Sequence, residues 1–376
     1  MPFSVEDTLS DDDSGEEKPK NLASLLDDYL ADDPDIEEVP ESIEGYAYYY
    51  ETLGNEEQTC YRQIYYGVSE RKETITLAVT DADTIHRIYR FVLYDHPELF
   101  WCSGSSQSSV YTNKTEFKPE YTLSEDEITS RQAEIDAAVK DCLSGIDGEA
   151  STYEKLYYIY TWIIDTVDYD KDAPDNQNIY SALVGHASVC AGYSKAFQYL
   201  LRELSIPAIY VTGSLKSGGT HAWNMIRYQD NWYNVDTTFG DPVFMSESNG
   251  QSISISYAYL CCTDGQLSDS HVADDQDLLP KAEQTDLNYY RLIDRFIEYE
   301  DYYSLKDMLT ASVNAGEESF SVQCASDAVY QAVCDDLLNS ILPDVSQTYM
   351  TLHGLSQVYY HYSLDDSMYL FSLSWN

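Results

Sequence analysis

From Tyr46 onward, apolar and polar positions alternate along the chain with the periods of folded elements. Thr74–Val79 alternates with period two and predicts a strand. Asp83–Leu93 follows as a helix, with Ile85, Ile88, Tyr89 and Val92 on one stripe. Ser124-Glu-Asp-Glu127 and Ser151-Thr-Tyr-Glu154 are capping boxes, in which a hydroxyl and a carboxylate satisfy orphan N–H groups at a helix start. Each announces a helix, and the second carries Leu156, Tyr157, Tyr160, Ile163, Ile164 and Val167 at helical spacing. A further stripe of Tyr193, Phe197, Leu200, Leu201 and Leu204 predicts a helix that starts at or near Cys190 and ends before Ile206-Pro207. Ala208–Gly213 reads as a buried strand. A Gly-rich loop, Lys216-Ser-Gly-Gly-Thr220, then leads into His221–Arg227, a polar turn at Tyr228–Asn231, and a returning run from Trp232, which together read as a hairpin.

These elements divide the chain into an N-terminal α/β domain (45–123), a core in which helices precede a sheet (124–280), and a C-terminal α/β domain (281–376). Ile75–Tyr89 can be laid ungapped on Phe320–Cys334, each reading as strand, short acidic turn and amphipathic helix. The overlay fits an internal repeat, and equally fits the common look of α/β segments.

Charge changes the picture at the N-terminus. The chain has 66 Asp and Glu against 21 Lys and Arg, a net charge of −45. Sixteen of those acids and only two lysines fall in residues 1–44, for a local charge of −14. With so little apolar content, that segment cannot offset the entropy of ordering, and it reads as a flexible tether with a short helix at Leu22–Leu30. So negative a chain makes nucleic acid and anionic lipid poor partners, because neutralising phosphates takes Lys and Arg. No apolar run reaches the roughly 18–20 residues of a membrane span, and Glu6 and Asp7 leave no signal-peptide pattern. The tether suits cell-surface attachment, outside the cell, after removal of a signal. The −31 outside the tether biases any cleft toward basic substrates.

The chemistry concentrates between Tyr180 and Pro242. A cysteine at a helix N-terminus meets unpaired N–H groups and a partial positive charge, which favour the nucleophilic thiolate. Ser188 is placed to cap that helix, and Gly192 to let another group approach closely. With a two- or four-residue turn, His221, Trp223 and Met225 share a sheet face with Trp232, Asn234 and Asp236. Neighbours across that face lie within roughly 5–8 Å, the reach of an imidazole–carboxylate hydrogen bond. An Asp beside His raises its basicity and fixes which nitrogen faces the thiol. Cys190, His221 and Asp236 thus read as nucleophile, base and orienting acid.

Three motifs in order, Val189-Cys190-Ala-Gly-Tyr-Ser, His221-Ala-Trp-Asn and Trp232-Tyr-Asn-Val-Asp236-Thr-Thr-Phe-Gly-Asp-Pro242, resemble those of the transglutaminase-like superfamily. They are most similar to its compact bacterial members, many of them exported or lipid-anchored. The resemblance covers roughly residues 150–245. It implies an α+β, papain-like core in which a Cys-bearing helix packs on an antiparallel sheet holding His and Asp. It also implies attack of Cys190 on a protein or peptide amide, through a thioester, ending in transamidation or hydrolysis. No cofactor and no metal are expected, since none of the eight cysteines forms a CxxC pair. An oxyanion donor besides the Cys190 N–H is expected; Tyr180 and Gln177 lie in the approach segment and are the candidates. Phe239 stands where many relatives have Trp.

Plainer readings compete at several positions. Cys190 could be a small buried residue on an inactive scaffold that serves as a surface binding or adhesion module, a reading the large flanking segments also fit. His186 reads as a loop residue. Trp223 and Asn224 support the site, Trp223 fitting core packing as well as a substrate wall. Asp168-Tyr-Asp170-Lys-Asp172 opens like a calcium loop, but Ala173 and Ile179 stand where Gly and Glu are required, so no EF-hand is expected and loose calcium binding is disfavoured. Cys261-Cys262 reads as core packing, and the 36 tyrosines as core and half-buried faces rather than sugar platforms. Eight cysteines permit four disulfides, but a free Cys190 excludes that full set.

Overall fold

The computed structural model describes residues 36, 39–43, 45–244 and 254–375. The expected tether, with its helix at 22–30 and its surface attachment, falls almost wholly outside them.

The N-terminal part holds α1 (Asn55–Ser69), β1 (Ile75–Leu77), α2 (Ala82–Asp95), β2 (Cys102–Val110) and β3 (Thr115–Tyr121). Its three strands form an antiparallel sheet in the order β1-β3-β2. Helix α2 starts where Asp81 accepts the Thr84 N–H, and it buries Ile85, Ile88, Tyr89 and Val92 on one face, the stripe seen in the pattern. Helices α3 (Glu125–Ser144) and α4 (Thr152–Thr166) follow, and both capping boxes form. Ser124 and Ser151 accept the N–H three residues on, while Glu127 and Glu154 accept the cap N–H at 2.8 and 2.7 Å.

The central sheet has five antiparallel strands. In chain order these are β4 (Ala208–Leu215), β5 (Thr220–Tyr228), β6 (Asn231–Val235), β7 (Leu260–Cys262) and β8 (His271–Ala273). In space they run β8-β4-β5-β6-β7. Helix α5 (Cys190–Glu203) packs on this sheet through Tyr193, Phe197, Leu200 and Leu201, all fully buried together with Ile226, Tyr233 and Val235. That is an α+β core with a cysteine-bearing helix against an antiparallel sheet. The opposite face, with Ile209, Val211, Trp223 and Met225, shares its hydrophobic cluster with Tyr61, Ile88, Phe91 and Phe117 from the N-terminal elements.

The C-terminal part contains β9 (Phe296–Ile297), α6 (Tyr302–Asn314), β10 (Ser319–Cys324), α7 (Asp327–Asp336), α8 (Leu342–His353), β11 (Tyr360–Asp365) and β12 (Leu370–Trp375). Its sheet runs β9-β10-β12-β11, with β9 parallel to β10, over a separate cluster that includes Leu309, Val322, Val333 and Leu373. The two overlaid sequence segments each fold as strand then helix, β1–α2 and β10–α7. Among the described residues no helix is long and apolar enough to cross a membrane. All eight cysteines are free thiols, six of them buried, Cys261 and Cys262 completely so.

Candidate active site

Helix α5 begins on Cys190 itself. Its N-cap is Val189, which has no side chain able to cap, and the Cys190 N–H has no protein acceptor among the described residues. Ser188 does not cap the helix as its position suggests. Its hydroxyl turns instead to the Asn176 carbonyl and the Ser181 hydroxyl, both at 2.8 Å, anchoring the incoming chain. Gly192 is where this anchor meets the helix. A Cβ there would overlap the Ser188 hydroxyl and lie 3.1 Å from the Asn178 carbonyl, so only glycine lets the two segments close up.

The hairpin turns on two residues, since Tyr228 pairs with Asn231, and Met225 pairs with Asn234. The register therefore keeps odd positions of β5 beside even positions of β6, the parity the turn length requires. His221 and Asp236, one residue beyond β6, meet on that face: Nε2 donates to Oδ2 at 2.7 Å, and both side chains are almost completely buried. Because a carboxylate only accepts, this nitrogen carries the proton and Nδ1 is left free of Asp236, with Cys190 near enough to His221 to help raise its pKa. Asp236 also caps the short helix Thr237–Gly240, its Oδ1 accepting the Thr238 and Phe239 N–H groups at 2.9 and 3.0 Å.

Burial works to lower the His221 pKa, but the Asp236 charge, its hydrogen bond and the Cys190 contact outweigh it and lift the imidazole to about 9. Asp236, which burial alone would raise, is held far below the usual carboxylate range by the two imidazoles it serves.

The second of those imidazoles was not found in the sequence. His271, on edge strand β8, donates Nε2–H to the same Oδ2 at 2.9 Å. It is 6% exposed, and burial lowers its pKa against the pull of Asp236. Its other nitrogen pairs with the Ser270 hydroxyl at 2.7 Å. One local cue existed, a lone His after the polar Ser268-Asp269-Ser270, but its pairing partner lies 56 residues upstream at Leu215. Among the described residues, His221, Asp236 and His271 are the one group whose donor atoms cluster closely enough, within 4.8 Å, to hold a metal ion. Both Nε2 atoms and Oδ2 are already engaged in hydrogen bonds within the trio.

The supporting residues divide by face. Trp223 lies 3% exposed beside His221 and His271, with ring centroids 6.1 and 5.2 Å away, and donates Nε1–H to Asn234. Asn224 points the other way, toward α5, where its amide donates to the Ser194 and Ile209 carbonyls and ties helix to sheet. Phe239 packs on both imidazoles, at 5.2 Å from His221 and 4.7 Å from His271. The two oxyanion candidates are engaged elsewhere. The Tyr180 hydroxyl donates to Glu134 at 2.9 Å with Arg131 over its ring, and the Gln177 amide donates to Asn176 at 3.1 Å. His186 is an exposed loop residue with a positive φ of 52°.

Residues 140–237 match the family model of the transglutaminase-like superfamily. Over 129 residues, 30% of this chain, the sequence is 24% identical to the mouse (Mus musculus) kyphoscoliosis peptidase, spanning 20% of that protein's own length. Among solved structures, that of a TGase is 11% identical (TM-score 0.28), covering 49% of this chain and 53% of that one. A candidate cysteine protease from Cytophaga hutchinsonii is 20% identical (TM-score 0.26), covering 40% of this chain and 71% of that one. Residues 140–237 are therefore similar to the core of the transglutaminase-like superfamily.

Proposed function

We propose that this protein is a thiol enzyme acting on amide groups of proteins or peptides. The observation that carries the reading is the buried His221–Asp236 hydrogen bond beside Cys190, whose own N–H is free at the start of its helix. An imidazole lifted to about 9 is protonated at neutral pH and stands ready beside the thiol as proton donor. The Cys190 sulfur attacks the amide carbonyl carbon, and the resulting oxyanion accepts the Cys190 N–H. His221 passes its proton to the departing amine, the C–N bond breaks, and a thioester remains. Water or a second amine then attacks that thioester while His221 takes its proton, releasing acid or new amide and restoring the thiol pair. A dead scaffold has no need of a charged, fully bonded His–Asp pair against a free thiol, so the catalytic reading is preferred to the binding one.

The test pairs two assays, incorporation of a labelled primary amine and cleavage of peptide amides, on wild type and Cys190→Ala. Activity in either that Cys190→Ala abolishes supports the reading and assigns the reaction. Absence of pH-dependent alkylation at Cys190, mapped by mass spectrometry, sinks it.

A further inference from the structure

Asp236 faces two imidazoles, and the chemistry above uses only His221. We infer that His271 is a positioning residue for the triad, fixing Asp236 as an aimed anion through the carboxylate oxygen it shares with His221. This inference rests on the thiol-enzyme reading.

Four observations converge on it. The shared oxygen, Oδ2, accepts from both Nε2 atoms at 2.7 and 2.9 Å, so His271 restricts the rotation of the carboxylate that orients His221. The Ser270 hydroxyl on Nδ1 can donate to a neutral ring, which keeps the remaining proton on the nitrogen facing Asp236. The ring is clamped between Phe239 and Trp223, at 4.7 and 5.2 Å. Strand β8 is brought close enough by a glycine: a Cβ on Gly213 would overlap the Val272 carbonyl and lie 3.0 Å from the Ala273 Cα. Beyond the strand pairing, the Thr212 hydroxyl donates to Asp274 at 2.9 Å, holding the end of β8.

The titratable groups facing His271 are Asp236 and His221. Asp264, Lys216 and Lys281 lie with it on the wall of an adjoining cavity of about 250 Å³. Losing the Nε2–H donor leaves Asp236 less firmly held as an anion. His221 then loses support for its positive charge, and Cys190 is less readily activated.

Iodoacetamide alkylation of Cys190, mapped by mass spectrometry across pH 5–9, reads this without any substrate. His271→Leu keeps volume but no donor, and is expected to slow Cys190 alkylation at pH 7 by about tenfold and to move its acid limb to higher pH, as loss of an orienting partner does elsewhere. His271→Gln, which can still donate, should recover several-fold of that loss. Ser270→Ala, which leaves the ring packing intact, should shift the acid limb in the same direction by a smaller amount, and serves if the Leu variant fails to fold. Wild-type pH profiles in both the Leu and Ser270→Ala variants overturn the inference. So does an equal slowing in Leu and Gln with equal loss of thermal stability, which marks a structural role only. His221→Gln is the control for the underlying reading. If it slows Cys190 while His271→Leu does not, only the positioning role fails; if it too has no effect, both fail.

Discussion

Two buried aspartates sit at comparable places in this molecule and are used in opposite ways. Asp95, at the end of α2, is 2% exposed and accepts the Tyr49 and Tyr50 N–H groups at 3.1 Å and the Tyr61 hydroxyl at 2.8 Å. Asp236 is fully buried and likewise accepts two backbone N–H groups at the start of a short helix. Both accept two backbone N–H groups and a further side-chain donor, yet burial pushes Asp95 up to about 6 despite His96 and its donors, while Asp236 is driven well below the ordinary range. The difference lies in the other donors. The tyrosine on Asp95 stays neutral, whereas His221 on Asp236 can take a full positive charge. A buried carboxylate becomes a tool rather than a fixture when one of its donors can be a cation.

The largest expected effect breaks the comparison at that point. Asp236→Asn removes the charge and presents either the wrong atom to His221 or a weaker acceptor. Thiol reactivity and any turnover should fall by about 10³–10⁴-fold, the scale known for amide replacement of a triad acid. Asp95→Asn, which touches none of the hydrogen bonds of His221 or Asp236, should leave Cys190 alkylation within about twofold. Equal losses in the two variants would mean that Asp236 too is only a structural cap.

Next in size is the pH dependence of stability, in which each group has its own window. The folded pKa of Asp95, about 6, exceeds its unfolded value, so the native state binds the extra proton. Its contribution is full below about pH 4 and is lost as pH rises through 6, on the order of 3 kcal/mol in all. Asp236 has the opposite sign: its contribution is present above about pH 4 and is lost as pH falls below that. His221, raised to about 9, contributes fully below about pH 6.5 and loses that contribution as pH rises through 9. Urea midpoints from pH 3 to 10 should therefore fall at both extremes, and Asp95→Asn should flatten the slope between pH 4 and 6 alone. A slope that persists in that variant would place the titration elsewhere.

The sequence revealed the members of this comparison unequally, for physical reasons. Cys190, His221 and Asp236 were legible because each sits on a local rule: a helix start, and a hairpin whose turn length sets side-chain parity. The same parity places Asn224 on the opposite face, although position alone does not reveal that it holds Ser194 of the helix rather than lining the site. Ser188 was misjudged because residue type suggested a cap, while the close approach permitted by Gly192 drew its hydroxyl to Asn176. His271 was invisible because β8 has three residues and no period of its own. Its place follows from pairing with β4, a long-range contact that leaves no trace in nearby spacing. Asp95 was hidden differently, as one more acid at the end of an amphipathic helix in a chain with 66 of them.

A third carboxylate extends the comparison to the surface and carries the smallest effect. Glu134 is exposed and accepts the Ser130 hydroxyl at 3.5 Å and the Tyr180 hydroxyl at 2.9 Å, with Arg131 stacked over the tyrosine ring at 4.5 Å. Water can replace that hydrogen bond, so a neutral donor on an exposed acid contributes little to either stability or chemistry. Tyr180→Phe should change Cys190 alkylation and turnover by less than about twofold and leave the urea midpoint nearly where it was. A donor that stabilises an oxyanion behaves differently, since its loss lowers turnover by about 10²–10³-fold while leaving the thiol's own reactivity alone. Measured together, alkylation and turnover of Tyr180→Phe therefore separate a surface bond from a catalytic one. A fall in turnover alone would mean that the hydroxyl leaves Glu134 to meet the substrate, and that burial is not what divides working side chains from idle ones in this site.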